Sequence, residues 1–259
     1  MYLPKTFEET RLDVLHDLVR AHALGTWVSA NASALDVQHI PFILDSARGE
    51  YGTLFGHVAR GNPIWKAPTA AVPDVVVFRG PQAYITPSWY PSKHQHGKAV
   101  PTWNYAVVAA HGRPEYIEDP AWLYAHLRGL TREHEASQAL PWKIEDAPAD
   151  FTEKLVAAIV GVAIPIERIE GKWKTAQNRQ EADKLGVVAG LLAQGDDEAL
   201  AMASLVVVIV WAVRALRNDG GPGATHPGDA RRILDERYAR GELSAEQYRQ
   251  QVAELGEEP

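Results

Sequence analysis

Between residues 25 and 117 the chain carries seven short β-rich runs and no helical period, and this most restricts the folds open to it. The runs cover 25–29, 39–44, 52–58, 74–78, 83–86, 103–110 and 113–117, each bounded by Gly, Pro, Asn or Asp. Valine, isoleucine, threonine and aromatic residues fill them, and the breaks between them are turn-formers. Parallel strands need crossovers of a dozen residues or more, most often helical. The breaks here are shorter than that or lack helical periodicity, so strands in close succession predict an antiparallel barrel or sandwich rather than alternating β-α units.

Helices flank this block. Residues 7–23 show Leu12, Leu15, Leu18 and Val19 at helical spacing, with Thr6 as the expected cap and Gly25 as the expected stop. Asp119 followed by Pro120 predicts a helix start and a helix over 120–136. Helices are also expected over 151–159, 180–193 and 196–203, and an edge strand over 160–169 because Pro165 interrupts it. The expected class is α+β, mainly β.

Composition narrows the chemistry. The 259 residues contain no Cys, which removes disulfides, thiolate metal sites and a cysteine nucleophile. The formal net charge of −7 disfavours attraction of the whole molecule to a phosphate backbone, so DNA contact would need a local basic patch or a partner. The start Met1-Tyr2-Leu3-Pro4-Lys5 lacks a basic stretch followed by an apolar run, and a cytoplasmic location is expected. His94 and His96 share a loop with no third ligand at suitable spacing, so no metal site is expected. No phosphate-binding loop, dinucleotide fingerprint or nucleophile elbow occurs, and no catalytic residue is assigned.

Three segments carry unusual groupings of cations, amides and aromatics: 56–65 (GHVARGNPIW), 78–90 (FRGPQAYITPSWY) with 98–105 (KAVPTWNY) close behind, and 171–179 (GKWKTAQNR). Their residue types suit a phosphorylated planar ligand. Arg60 offers a planar fork, while Lys172 and Lys174 offer point charges. Asn62, Asn104, Gln177 and Asn178 carry both donors and acceptors, which the edge of a polar ring system requires. Trp65, Trp103 and Tyr105 offer flat surfaces. Each also has a plainer reading: His57 as a donor to a turn carbonyl, Trp103 as packing, and the 172–179 run as a solvated basic loop.

Taken in order, these motifs resemble the PaiB family of FMN-binding regulators over about residues 1–204. The resemblance implies an FMN-binding split β-barrel with flanking helices, working as a homodimer in which both subunits contribute to each site. It implies FMN as cofactor, held by residues drawn from His57, Arg60, Asn62, Trp103, Asn104, Tyr105, Lys172, Lys174, Gln177, Asn178 and Arg179. By similarity to other split-barrel flavoproteins, Arg60 would take the phosphate. The sequence departs from the family pattern at Thr175-Ala176, where a Leu-Ser pair is usual. The expected function is a negative transcriptional regulator of the PaiB type. The alternative from a different class is a flavin-dependent reductase or oxidase acting on a small molecule.

The last third differs in character. Residues 205–217 form an apolar helix by composition, 218–228 a Gly- and Pro-rich linker, and 229–259 two short amphipathic helices. The last segment resembles the short C-terminal (SHOCT) module. Residues 200–213 would span roughly 20 Å as a helix, short of the ~30 Å of a bilayer core. Membrane contact through 200–216 and packing against the rest of the protein are therefore both open readings.

Overall fold

The computed structural model describes residues 1–30, 34–66 and 72–218, with side chains up to 208 and at 210. The expected 218–228 linker beyond its first residue, and all of 229–259, lie outside the described residues. The elements in chain order are strand β1 (Glu8–Glu9), helix α1 (Leu12–Ala21), and strands β2 (Leu24–Ala30), β3 (Leu35–Pro41), β4 (Ile43–Asp45), β5 (Thr53–Ala59) and β6 (Asp74–Ile85). Helix α2 (Pro91–His96), strands β7 (Thr102–Gly112) and β8 (Glu115–Ile117), and helices α3 (Pro120–Glu135) and α4 (Ala149–Ala157) follow. The long strand β9 (Ile159–Lys174) leads into helices α5 (Glu181–Gln194) and α6 (Asp197–Asn218).

The strands form one mainly antiparallel sheet in the order β3-β2-β6-β7-β9-β5-β4, with β1 and β8 also pairing to β9. The chain divides into two compact units, and β6, β7 and β9 each contribute residues to both. Of the described residues, the first unit comprises Met1, Glu9–Gly80 and Val107–Gly171, and the second comprises Tyr2–Glu8, Pro81–Ala106 and 172–218.

In the first unit the sheet closes on itself. Gly56 on β5 sits so near β3 that a Cβ there would meet Ile40 at 3.1 Å and Phe42 at 3.2 Å. A strand at one end of the order thus meets the next-to-last strand at the other, and the result is a barrel. Its interior holds Trp27, Phe42, Val76 and Phe78, all buried, with Phe42 and Phe78 packed edge to face at 6.0 Å. Gly25 lies inside β2 because a side chain there would collide with Val76 and Phe42. It is a packing glycine, and α1 ends earlier, at Ala21.

Other expectations shift for similar reasons. Residues 5–7 form a 3-10 turn and Glu8–Glu9 pairs with β9, so the first helix starts at Leu12. Thr6 falls within that turn rather than at a helix start. The runs at 74–78 and 83–86 fuse into the single strand β6. Pro165 sits in an interior strand, and its missing N–H is tolerated because Thr53↔Pro165 is the last rung of the β5–β9 ladder. The Asp119 start holds: its carboxylate accepts from the backbone N–H groups of Ala121 and Trp122, with Pro120 in the first turn.

In the second unit α5 and α6 pack around a core of Ile85, Tyr90, Val187, Leu191, Met202 and Val206. One uninterrupted helix runs from Asp197 through Ser204 to Asn218. Among the described residues, no helix is long and apolar enough to cross a membrane.

Candidate functional site

Alternation along β7 decides which of its residues can share a wall. Successive strand side chains point to opposite faces, so Thr102 and Asn104 share one face while Trp103 and Tyr105 share the other. Asn104 is 1% exposed. Together with Tyr90, Thr102, Lys174, Ala176, Asn178 and Arg179 it lines a pocket of about 60 Å³ in the second unit. Four residues expected from two distant segments, Asn104, Lys174, Asn178 and Arg179, therefore converge on one cavity.

The loop after β9 is shaped to bring them there. Gln177 closes it: its side-chain oxygen accepts from the Thr175 backbone N–H at 2.8 Å, and its amide nitrogen donates to the Trp173 carbonyl. Ala176 takes a left-handed conformation, φ 67°, which costs a non-glycine residue roughly 1–2 kcal/mol. The Arg179 backbone N–H donates to the Ala176 carbonyl at 3.0 Å. The Arg179 guanidinium lies 4.5 Å from the centre of the Tyr90 ring, a cation-π contact. Burial pushes the Tyr90 hydroxyl pKa up, with neighbouring Arg179 opposing, so Tyr90 stays neutral.

Lys174 donates to the Thr102 hydroxyl at 2.6 Å, which leaves two of its three N–H bonds for other acceptors. The Asn104 side-chain nitrogen is buried and makes no hydrogen bond in the described structure, and the Thr175 hydroxyl is in the same condition. A buried donor without an acceptor costs roughly 1–3 kcal/mol. The residues lining the pocket therefore include two cations and an asparagine with an unspent amide donor, and no carboxylate. That donor set fits the oxygens of an anion, and so fits a phosphorylated cofactor.

The other expected residues are engaged as follows. Gln177 is spent on its own loop. Lys172 donates to the Tyr2 carbonyl and sits over the rings of Tyr2 and Tyr105. Trp103 donates to Gln82 at 3.1 Å and packs edge to face on Tyr84. In the first unit, Arg60 donates to the Ala157 carbonyl at 2.8 Å, to Glu118 at 2.5 Å and to the Ile159 carbonyl at 3.1 Å. Three of its N–H bonds thus tie the ends of β5 and α4 together. Asn62 donates to Gln38 and accepts from the Ile64 backbone N–H. His57 meets His126 of α3 at 3.2 Å, and His126 stacks on Trp122 with planes 9° apart. Burial lowers the pKa of His57, and burial with the neighbouring ring lowers that of His126 to about 4.

Tyr90, Thr102 and Ala176 were not singled out as site residues by the sequence. Thr102 had a signal, since it lies two residues before Asn104 on the same strand face. Tyr90 ends the conspicuous 78–90 segment. Ala176 had none, because its role is a backbone conformation.

Residues 1–168 match the family described as "Putative FMN-binding domain", and residues 229–255 match the family described as "Short C-terminal domain". A Bacillus subtilis protein named protease synthase and sporulation protein PAI 2 is 31% identical over 206 residues, covering 80% of this chain and 96% of that protein. An uncharacterised protein of Emericella nidulans is 32% identical over 241 residues, with the same two coverages. Among solved structures, the flavocytochrome Anf3 from Azotobacter vinelandii superposes with a TM-score of 0.49 at 14% identity, covering 65% of this chain and 70% of its own. At that level the likeness says nothing of chemistry.

Proposed function

Since this chain belongs to the PaiB-type family of FMN-binding domains, we propose that it binds FMN without a covalent bond and acts as a homodimeric regulator. The observation that carries the reading is the convergence of Asn104, Lys174, Asn178 and Arg179, from two segments some seventy residues apart, on one polar pocket. Lys174 and Arg179 supply charge, and Asn104 and Asn178 supply amides that orient a ligand by hydrogen bonds. FMN, when bound, supplies one- or two-electron redox chemistry; this chain's residues bind it and orient it. The regulatory role draws support from the name of the Bacillus relative, a protease synthase and sporulation protein. The net charge of −7 argues that any effect on transcription passes through a partner or a local patch.

The test is direct. The purified full chain, mixed with FMN and freed of excess, is expected to keep a flavin absorbance spectrum at about one flavin per chain and to sediment as a dimer. A colourless protein that leaves FMN fluorescence unchanged would falsify the flavin reading, and a monomer with bound flavin would remove the dimer from it. Rapid anaerobic bleaching by NADH or NADPH would move the assignment to a reductase.

A further inference from the structure

Resting on that flavin reading, we infer that the Asn104–Lys174–Arg179 pocket is the phosphate-monoester site, taking the anionic tail of the flavin, and that Arg60 is not. Four observations carry this. First, Asn104 is one of the residues lining the pocket, and its amide nitrogen is buried and unpartnered. A group kept in that state at a cost is one that a ligand oxygen satisfies. Second, the charge at the pocket is of one sign: Lys174 with two N–H bonds free of Thr102, and the Arg179 guanidinium over the Tyr90 ring.

Third, size sorts the ends of the ligand. A cavity of ~150 Å³ holds a single benzene ring, so about 60 Å³ receives a small group rather than a ring. A three-ring system does not fit. Tyr90, the aromatic among the lining residues, has the Arg179 guanidinium over its ring, and Trp103 and Tyr105 point to the other face of β7. Fourth, the Arg60 guanidinium already spends Nε, Nη1 and Nη2 on two carbonyls and Glu118, so a dianion there would compete with a carboxylate. Repulsion between two anions at one fork is unfavourable. The left-handed Ala176 agrees with this, because strained backbone is retained where it positions a site.

The experiment measures binding of FMN, riboflavin and inorganic phosphate to the full chain by fluorescence titration and calorimetry. FMN is expected to bind at least roughly 10- to 100-fold tighter than riboflavin, as one to two charge-assisted hydrogen bonds provide. Inorganic phosphate is expected to compete with FMN and not with riboflavin. Asn104→Leu, of like shape but without donors, and Arg179→Gln are each expected to bring FMN down toward the riboflavin level while leaving riboflavin unchanged. Asn104→Leu also has a second readout that a purely structural asparagine would not give: the ligand-free protein should melt higher than the parent, because an unpaired buried donor is gone.

Equal binding of FMN and riboflavin by the parent protein overturns the site while the flavin reading stands. Phosphate binding that Asn104→Leu abolishes, in a protein that ignores both flavins, upholds the site for a free phosphate and overturns the flavin reading. If Arg60→Gln is the change that erases the preference for FMN over riboflavin, the phosphate lies at Arg60 and the proposal fails.

Discussion

His57 and His126 make a neutral imidazole pair, 3.2 Å apart, with one ring donating and the other accepting. Trp122 covers His126, and neither ring has a carboxylate partner that would favour its charge. A folded-state pKa of about 4 against 6.5 for the free side chain means the unfolded chain takes up the proton first on acidification. The stability this pair supports is complete above pH 6.5, drains as the pH falls toward 4, and is gone below that. For His126 this lowering corresponds to roughly 3 kcal/mol. Urea unfolding at a series of pH values between 7 and 4 is expected to show that loss, and His126→Phe, which can still stack on Trp122, should flatten most of it. An unchanged slope in the variant would mean that other groups carry the acid sensitivity. In the sequence His57 stood out through its motif, but His126 did not, because nothing in a helical pattern tells which histidine will face a strand. The division of Trp103, Asn104 and Tyr105 between two faces was readable from strand alternation alone. The use of Gln177 on its own backbone was not, since it depends on a left-handed turn at an alanine.

Helix α5 approaches the 3-10 turn at 87–89 so closely that only glycine fits at two places. A Cβ at Gly186 would run into the Trp89 carbonyl, and one at Gly190 into the Trp89 ring. Four residues apart, the two glycines make a flat stripe on one face of the helix, and Trp89 lies in it. Glycine inside a helix costs roughly 1 kcal/mol relative to alanine, so an exposed site would gain from replacement. Here Gly190→Ala is expected instead to destabilise the protein by about 1–3 kcal/mol, the usual cost of overpacking. Thermal unfolding decides the sign, and a variant that melts higher would show that Trp89 moves aside freely. Gly161 on β9 makes the same arrangement with Trp122. The sequence placed these elements well where local chemistry fixes them, as with Asp119-Pro120 ahead of α3. It misplaced them where a distant partner decides. Glu8–Glu9 has helical neighbours but pairs with β9, and Gly25 reads as a helix stop but is required by Val76 and Phe42 across the barrel.

At the scale of the molecule the question is where the flavin-binding part ends. The family match stops at residue 168, yet the pocket needs 174–179 and the core behind it needs more. Val187 and Leu191 of α5 pack on Ile85 and Tyr90, and Met202 and Val206 of α6 complete that cluster. Val210 is also buried, one helical turn beyond Val206. An apparent change of character near residue 204, where the apolar run begins, is thus no boundary in the helix: side chains on both sides of it serve one core. Two truncations separate these possibilities. Ending the chain after Asn218 keeps every described contact, and is expected to leave both the melting temperature and FMN affinity at the parent values. Ending it after Ser204 removes Val206 and Val210 and bares Tyr90 and Leu191 behind the pocket; two buried valines at about 1.5 to 3 kcal/mol each imply a loss of several kcal/mol. The shorter chain should melt well below the parent and lose FMN through loosening of Tyr90 and the Arg179 fork, while the longer one retains it. If the Ser204 truncation binds FMN as the parent does, α6 is dispensable to the site, and the pocket rests on β7 and the 174–179 loop alone.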